Sequence, residues 1–520
     1  MIPLYPEFFN DVFGPVMQPG SSSHQAGPGR LGLLAASLLG EAPRKVAFHL
    51  DPGGSFAGTF GLMNEDLGLA SGVLGLAPDD PLLFDALEEA RRRGVELAFS
   101  FVPVPESSHP NAVKIRMEGA TRNVTLVGNS VGGGMVEVVA VQGFPVHFQG
   151  DAPVALVFGE TAYRPRELLA SGRVEHSGRV LCWFKTVGRP ADLPEGALFL
   201  EAILPVATLP GRRPQLFDSM AGWRAQAAEA GAGLAELALR YEEAASAWPR
   251  PRILEGMERI RGLLHAQVHA AYGPAGEGPA EPFSRRDDRI WAPHLEAGRS
   301  FSGTATAHAL KLALGVIAKV RGVPIVPAPM GTGGGYLYSA LYAVQQERGY
   351  ADEALLRGLI VAAGVGAIAC TRTQPTGEVI GCAGGPGVCS AMAAAALVEM
   401  AGGAPLQADR AASFALQATI GLPCDPIPGG FEQPCLSRVV SALTNAIAFA
   451  DLALAGADAV LPFDEVLDAA DRVGRALAPE LKCTSKGGCC ATPAARRLSE
   501  DFRRQQAARC TASGDEARRF

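Results

Sequence analysis

The sequence predicts a multidomain protein: an α+β N-terminal domain, a small α+β segment, and a mostly α-helical C-terminal domain. Three observations predict it. A chain of 520 residues is too long for one ordinary hydrophobic core. Over the first 150 residues, short β-type runs alternate with helical spacing and glycine-rich turns. From Thr304 onward, alanine-rich apolar stretches with helical spacing are separated only by Gly/Pro loops. With 48% hydrophobic and 19% charged residues the chain is a folded protein and not a disordered one.

In order, the β-type runs are 46–50, 96–102, 112–117 and 135–141, with a helical pattern at 81–93. Two further apolar strand candidates, 154–158 and 198–204, mark a small appended α+β unit. Residues 218–247, rich in Ala, Glu, Leu and Arg, read as a linker helix or helical hairpin, and 273–286 as a loop. Helices follow at 307–320, 353–367 and 390–401; so poor in charge, they are expected to be buried on most faces. The expected domains are 1–152, 153–207, a helical linker 208–250, 251–500, and a polar C-terminal tail 501–520.

A formal net charge of -7 argues against nucleic acid or an anionic membrane as partner. The N-terminus has no basic region followed by an apolar run, so it does not read as a signal peptide. The most apolar stretches, 358–370 and 391–398, fall short of the roughly 18–20 residues of a spanning helix. A cytoplasmic, reducing location is expected, and there ten cysteines point to metal binding or catalysis more than to a disulfide framework.

Three cysteines stand out. Cys382 lies in ThrGlyGluValIleGlyCysAlaGlyGly, Cys424 in GlyLeuProCysAspPro, and Cys435 ends PheGluGlnProCys, 42 and 11 residues apart. This is neither zinc-ribbon nor ferredoxin spacing, and by itself it fits small packed residues as well as ligands. The surrounding words say more. GlyCysAlaGlyGlyProGlyValCysSerAlaMet from 381, GlyLeuProCysAspProIleProGlyGlyPheGluGlnProCys from 421, and LysCysThrSerLysGlyGlyCysCysAlaThrPro from 482 follow one another. In the N-terminal half stand ProGlySerSerSerHis at 19–24, GlyProGlyArgLeuGly at 27–32, HisProAsn at 109–111 and GlyGlyGlyMetValGluVal at 132–138.

In that order the motifs resemble the iron–sulfur-dependent L-serine dehydratases, with the family's β domain over residues 3–150 and its α domain over 250–500. The resemblance implies a [4Fe-4S] cluster with three irons held by Cys382, Cys424 and Cys435 and the fourth left open. It implies a lyase without pyridoxal phosphate, removing the β-substituent and the amino group of L-serine or a related amino acid to give a 2-keto acid and ammonia. The partner is then a small-molecule amino acid, and a homodimer is the expected assembly. Residues 153–207 stand where some relatives carry an ACT-like domain; an effector site and a degenerate packing domain are equally open.

Within this resemblance Ser21, Ser22 and Ser23 are expected to bind substrate and His24 to take part in catalysis, although a serine turn capping a helix over 31–39 accounts for the same residues. His109 and Asn111 are pocket residues or a structural turn. Thr332 and Gly333 belong to a substrate-facing loop. Lys486 is an anchor for substrate or a solvated charge, and Asp66 is expected to handle protons.

Four departures from the family pattern stand out. GlyHisGlyThrAsp is replaced by Leu62-Met63-Asn64-Glu65-Asp66, and the thioether of Met63 moves no protons. SerSerSerHisThr ends in Gln25. ProThrAlaGlySerAlaGly becomes ProMetGlyThrGlyGlyGly at 329–335. The SerGly before the first cysteine becomes Thr376-Gly377. Glu65, Asp66, Glu378 and His24 are all left as candidate bases. Cys389, Cys483, Cys489 and Cys490 read as small buried residues or as sulfur-handling groups. The latter keeps a cysteine desulfhydrase or sulfur-transfer enzyme open, and loss of the histidine keeps a non-catalytic iron–sulfur sensor open. Cys510 is a further thiol, near the C-terminus, with a possible place at the open iron.

Overall fold

The computed structural model describes residues 5–207, 213–277, 286–329, 333–427 and 433–513. The described residues fold as two compact units: those of 20–207 with 500–513, and those of 5–19 with 213–499.

The first unit is α+β. Its larger sheet holds β1 (Lys45–Leu50), β2 (Glu96–Phe101), β3 (Ala112–Glu118), β4 (Asn123–Gly132), β5 (Met135–Val141) and β6 (Phe144–Phe148). The order is β2-β1-β3-β4-β5-β6. Only β1 and β2 run parallel; the other pairings are antiparallel. In β1, Val46, Phe48 and Leu50 point into the core while Lys45, Ala47 and His49 are more exposed, the two-residue period of a strand with one buried face. Helices Gly27–Leu39 and Glu65–Val73 pack together, and Leu31, Leu34 and Leu38 join Phe48, Ile115, Leu126 and Val138 in the core.

The second sheet of this unit holds β7 (Val154–Phe158), β8 (Leu168–His176), β9 (Arg179–Thr186) and β10 (Leu198–Leu200), ordered β10-β7-β9-β8 and antiparallel throughout. Among the described residues of 153–207 there is no helix, so the expected small α+β unit is built of strands alone. Two strands there were not predicted: β8 is exposed along most of its length and carries Ser, Gly, Arg and Glu, so it lacks an apolar run.

The second unit is helical, as expected. Residues 220–246 form a helical hairpin, Met220–Glu229 and Leu234–Ser246. At the centre lies Pro386–Met400, buried on nearly every face because its alanines admit neighbours on all sides. It packs against Gly333–Arg348, Asp352–Arg372, Pro405–Gln417 and Cys435–Leu454. Residues 5–19, read from sequence as part of the first domain, belong to this unit: Phe8 stacks on Tyr241, and Met17 pairs with Ile325.

Two helices are longer than the apolar stretches read from sequence. Asp352–Arg372 and Cys435–Leu454 are long and apolar enough to cross a membrane by length and composition, and 78% of the most apolar 18-residue stretch of the first is buried inside the protein. The last helix, Pro493–Ser513, carries an ordered backbone into the expected polar tail.

Candidate functional site

Each unit gathers one set of chemically capable side chains. In the first unit, residues 21–24 form a tight turn. The Ser21 hydroxyl accepts from the His24 N–H at 3.2 Å, capping the turn Ser22–Ala26 and not a helix beginning at 31. Helix Gly27–Leu39 follows at once. The His24 side chain is fully buried; its Nδ1 lies 3.0 Å from Ser23 Oγ and 3.3 Å from Ser21 Oγ, and its Nε2 lies 3.0 Å from Ser55 Oγ. An imidazole with a hydroxyl at each ring nitrogen can take a proton on one side and return it on the other.

The turn is tied to residues 109–111. The Ser55 N–H donates to the Pro110 carbonyl at 2.8 Å, the Ser130 N–H to the Asn111 carbonyl at 3.1 Å, and the Ser130 hydroxyl to the Ser23 carbonyl at 2.7 Å. His109 Nδ1 accepts from the Asn111 N–H at 3.1 Å, which holds the ring against its own turn. The structure thus brings Ser21, Ser22, Ser23, His24, His109 and Asn111 into one neighbourhood. Ser55 and Ser130, which sequence reasoning passed over, are its joints; an isolated serine at a helix start or in a strand carries no motif.

Two departures from the family pattern also meet here. The Asn64 amide donates to Gln25 Oε1 at 2.9 Å, so the changed residue after His24 is bonded to the changed segment 62–66. Asp66 and Glu65 are buried in the first turn of helix Glu65–Val73. The Thr59 hydroxyl donates to Glu65 Oε1. Burial above all, with the neighbouring Asp66, still pushes the Glu65 carboxyl well above the usual carboxylate range.

The second unit gathers thiols. Cys382 lies on a turn after Gly381, whose φ of 66° and close approach to the Leu422 carbonyl leave no room for a side chain. The Cys382 N–H donates to that carbonyl at 2.9 Å. Two residues on, Cys424 pairs with the opposite strand of chain: its N–H donates to the Leu481 carbonyl at 2.9 Å, and the Cys483 N–H donates to the Cys424 carbonyl at 2.6 Å. The Cys382 and Cys424 thiols are close enough for each to act on the other's ionisation. Cys435 opens helix Cys435–Leu454.

Arg438, one turn further along that helix, was not singled out in the sequence. It donates to Cys382 Sγ at 3.2 Å and to the Pro423 carbonyl, and pairs with Asp425 at 2.6 Å, both side chains being largely buried. Asp425 in turn accepts from the Cys489 N–H at 2.6 Å. One guanidinium therefore fixes the segments carrying three of the cysteine motifs and places a positive charge beside a sulfur. The hydrogen bond with Cys424, then burial, holds the Cys382 thiol far above its ordinary range.

This donor set fits an iron–sulfur group: soft sulfur ligands converge, a cation offsets their charge, and Gly377 leaves open the space beside Cys424 Sγ that a Cβ would fill. The remaining expected residues are placed as follows. Lys486 is exposed, in the loop before Gly488–Ala491. Gly333 is buried at the start of helix Gly333–Arg348, and its carbonyl accepts from the Cys389 thiol at 3.1 Å. Thr332 and the Cys510 side chain lie outside the described residues.

The fold and this site describe a two-unit protein with a sulfur-rich centre, suited to an iron–sulfur group, in its helical part. Comparison with known proteins makes that class specific. The family described as serine dehydratase alpha chain matches residues 229–490, half of the chain. The probable L-serine dehydratase alpha chain of Bacillus subtilis (strain 168) is 35% identical over 215 residues, 40% of this chain and 69% of that protein. The L-serine dehydratase alpha chain of Peptoniphilus asaccharolyticus is 34% identical over 210 residues, 40% of this chain and 72% of that protein. The probable beta chain of Bacillus subtilis is 36% identical over 152 residues, 28% of this chain and 66% of that protein. The chain belongs to the iron–sulfur L-serine dehydratase family, with beta and alpha parts in one polypeptide. It is a lyase of the ammonia-lyase class.

Proposed function

We propose that the protein is a [4Fe-4S]-dependent lyase, independent of pyridoxal phosphate, that converts L-serine or a related β-substituted α-amino acid into a 2-keto acid and ammonia. The observation that carries the reading is the buried Arg438 guanidinium, which donates to Cys382 Sγ at 3.2 Å and pairs with Asp425, so that the segments carrying Cys382, Cys424 and Cys489 meet at one side chain.

Cys382, Cys424 and Cys435 would hold the group. When bound, an iron free of protein sulfur supplies a Lewis acid that draws electrons from the β-hydroxyl and makes it a better leaving group. The chain's own residues do the rest. Arg438 keeps Cys382 in place and offsets thiolate charge. Ser21, Ser22 and Ser23, with His109, Asn111, Thr332 and Gly333, are the proposed substrate-binding groups. His24, Asp66 and Lys486 are the proposed proton-handling groups. Of these His24 has the clearest means, since hydroxyls at both ring nitrogens let it pass a proton without moving.

The test is made on anaerobically purified, iron-reconstituted protein. Iron, sulfide and visible spectrum are measured, then keto acid, ammonia and sulfide are assayed with L-serine, L-threonine and L-cysteine. About four irons per chain and keto acid from serine are expected. Sulfide from cysteine with no product from serine would move the function to a desulfhydrase. A cluster with no product would favour a sensor, and a chain that takes up no cluster would end the reading.

A further inference from the structure

We infer that Glu137 is a positioning residue for the reaction: through Asn129 and Ser107 it sets the turn that presents the Asn111 carboxamide to the ammonium group of the substrate. The inference rests on the lyase reading above and deepens it. It also gives a use to the GlyGlyGlyMetValGluVal segment, which that reading leaves without one.

The Asn111 side chain has a group to spare. The residue is 1% exposed, and its carboxamide oxygen is buried with no hydrogen-bond partner among the described residues. A buried acceptor left unpaired is costly, so its retention points to a donor that arrives with a ligand. The backbone of Asn111 is already committed, its N–H to His109 Nδ1 and its carbonyl to the Ser130 N–H, each at 3.1 Å. Only the side chain is left to bind. An α-amino acid brings the donor it lacks, because an ammonium group carries three N–H bonds and no acceptor.

A chain of polar groups aims this side chain. Gly132, Gly133 and Gly134, at φ of 104°, 60° and 80°, make the turn between β4 and β5 and bring Glu137 directly opposite Asn129. On its other side Asn129 pairs with Ala112, the neighbour of Asn111. The Asn129 amide donates from Nδ2 to Glu137 Oε2 at 3.2 Å. The Ser107 hydroxyl donates to Asn129 Oδ1 at 2.7 Å, and the His109 N–H donates to Ser107 Oγ at 3.1 Å. His147 Nδ1 lies 2.7 Å from the other Glu137 oxygen.

The chain has one sense. An ionised carboxyl only accepts, so Glu137 draws the nitrogen end of the Asn129 amide and turns its oxygen to Ser107. That oxygen takes the Ser107 hydroxyl hydrogen, which leaves the Ser107 lone pairs to accept the His109 N–H. Without Glu137 the Asn129 amide has no fixed sense, and the hold on the His109 backbone, two residues from Asn111, is lost. The ion pair of Lys114 with Glu106 on the same sheet lies outside this chain.

The test uses the full chain with its iron–sulfur group reconstituted, and steady-state turnover of the amino acid that gives most keto acid. The variants are Glu137→Ala, Glu137→Gln, Asn111→Ala, the pair Glu137→Ala with Asn111→Ala and, as a control, Lys114→Gln. Iron content and circular dichroism are recorded for each. Glu137→Ala should raise KM roughly tenfold, the size of one hydrogen bond to a charged group, with kcat within about twofold and iron content unchanged. Glu137→Gln should recover most of that loss, because its amide oxygen still accepts from Asn129. Lys114→Gln should match wild type. In the Asn111→Ala background Glu137→Ala should add nothing, because the group it aims is gone. An unchanged KM in Glu137→Ala, no recovery in Glu137→Gln, or an equal further loss in the Asn111→Ala background would overturn the inference and leave the lyase reading standing. The last of these is what a merely structural role of Glu137 predicts. Should Glu137→Ala fail to fold, Ser107→Ala breaks the same chain one link further in and decides by the same cycle. A reconstituted wild type that turns over no amino acid would overturn the inference together with the lyase reading.

Discussion

The serine–histidine network of the α+β unit and the thiol pocket of the helical unit are built in opposite ways. The first grows from residues adjacent in sequence, 21–24, and its central groups find partners within the unit: hydroxyls at both nitrogens of His24, and carbonyls for the Ser55 and Ser130 groups. The second draws on segments spread from 382 to 483, and its thiols act on one another's ionisation. A satisfied polar network is stable as it stands and can shift protons internally. Crowded thiols are held neutral by one another and by burial, and they become anionic only when a metal takes their protons' place. The hydrogen bond of Cys483 with Cys424 favours its thiolate, yet burial and the neighbouring Glu378, Cys435 and Cys382 outweigh it and keep the thiol above its usual range.

The largest effect is expected at the pocket itself. Cys424→Ala should abolish the visible absorbance and the bound iron of the reconstituted protein. A variant with a full cluster would remove Cys424 from the ligand set and break the contrast between the units.

Next comes the buried ion pair. Arg438→Met leaves Asp425 buried without its guanidinium, and losing one partner of such a pair costs about 3–5 kcal/mol. Urea unfolding followed on the helical unit should show a loss of that order. A loss well under 1 kcal/mol would mean that the Cys489 N–H alone suffices for Asp425.

A smaller, pH-dependent effect is expected in the α+β unit. The unfolded chain ionises Glu65 near 4.5, whereas the folded protein keeps it protonated well above that. The unfolded state therefore binds fewer protons as pH rises between those values. Glu65 makes no such demand below 4.5, and above it costs about 1.4 kcal/mol of stability per pH unit until the folded group ionises. Thermal melts should show this decline in wild type and a flatter profile in Glu65→Gln. Parallel profiles would mean that Glu65 is charged in the folded protein.

The smallest effect is that of Ser22→Ala. Loss of one hydrogen bond to substrate, worth about 1 kcal/mol, should raise KM by roughly fivefold with iron content unchanged. A fall in iron content to match would make Ser22 structural and blur the division between the two regions.

What was legible in the sequence follows the same division. β1 and β5 announce themselves by a period of two written in consecutive residues, and β7 and the alanine-rich helices by continuous apolar runs whose length separates strand from helix. β4 and β8 do not: their Gly, Asn, Ser and charged residues hide the alternation, and pairing on the sheet overrides propensity. The cysteines before and within GlyLeuProCysAspPro stood out because they sit in contiguous words.

The sequence by itself determined the division into an α+β part and a helical part, the family, and the candidate residues that lie within motifs. Only the tertiary structure decided that residues 5–19 join the helical unit, that Gln25 is bonded to Asn64, that Ser55 and Ser130 tie residues 21–24 to 109–111, and that Arg438 and Cys483 belong with Cys382 and Cys424. The physical reason is the same in each case. Secondary structure and short motifs are set by near neighbours along the chain, whereas these contacts join residues tens to hundreds of positions apart, and no local period or composition records which of them the packed core will bring together.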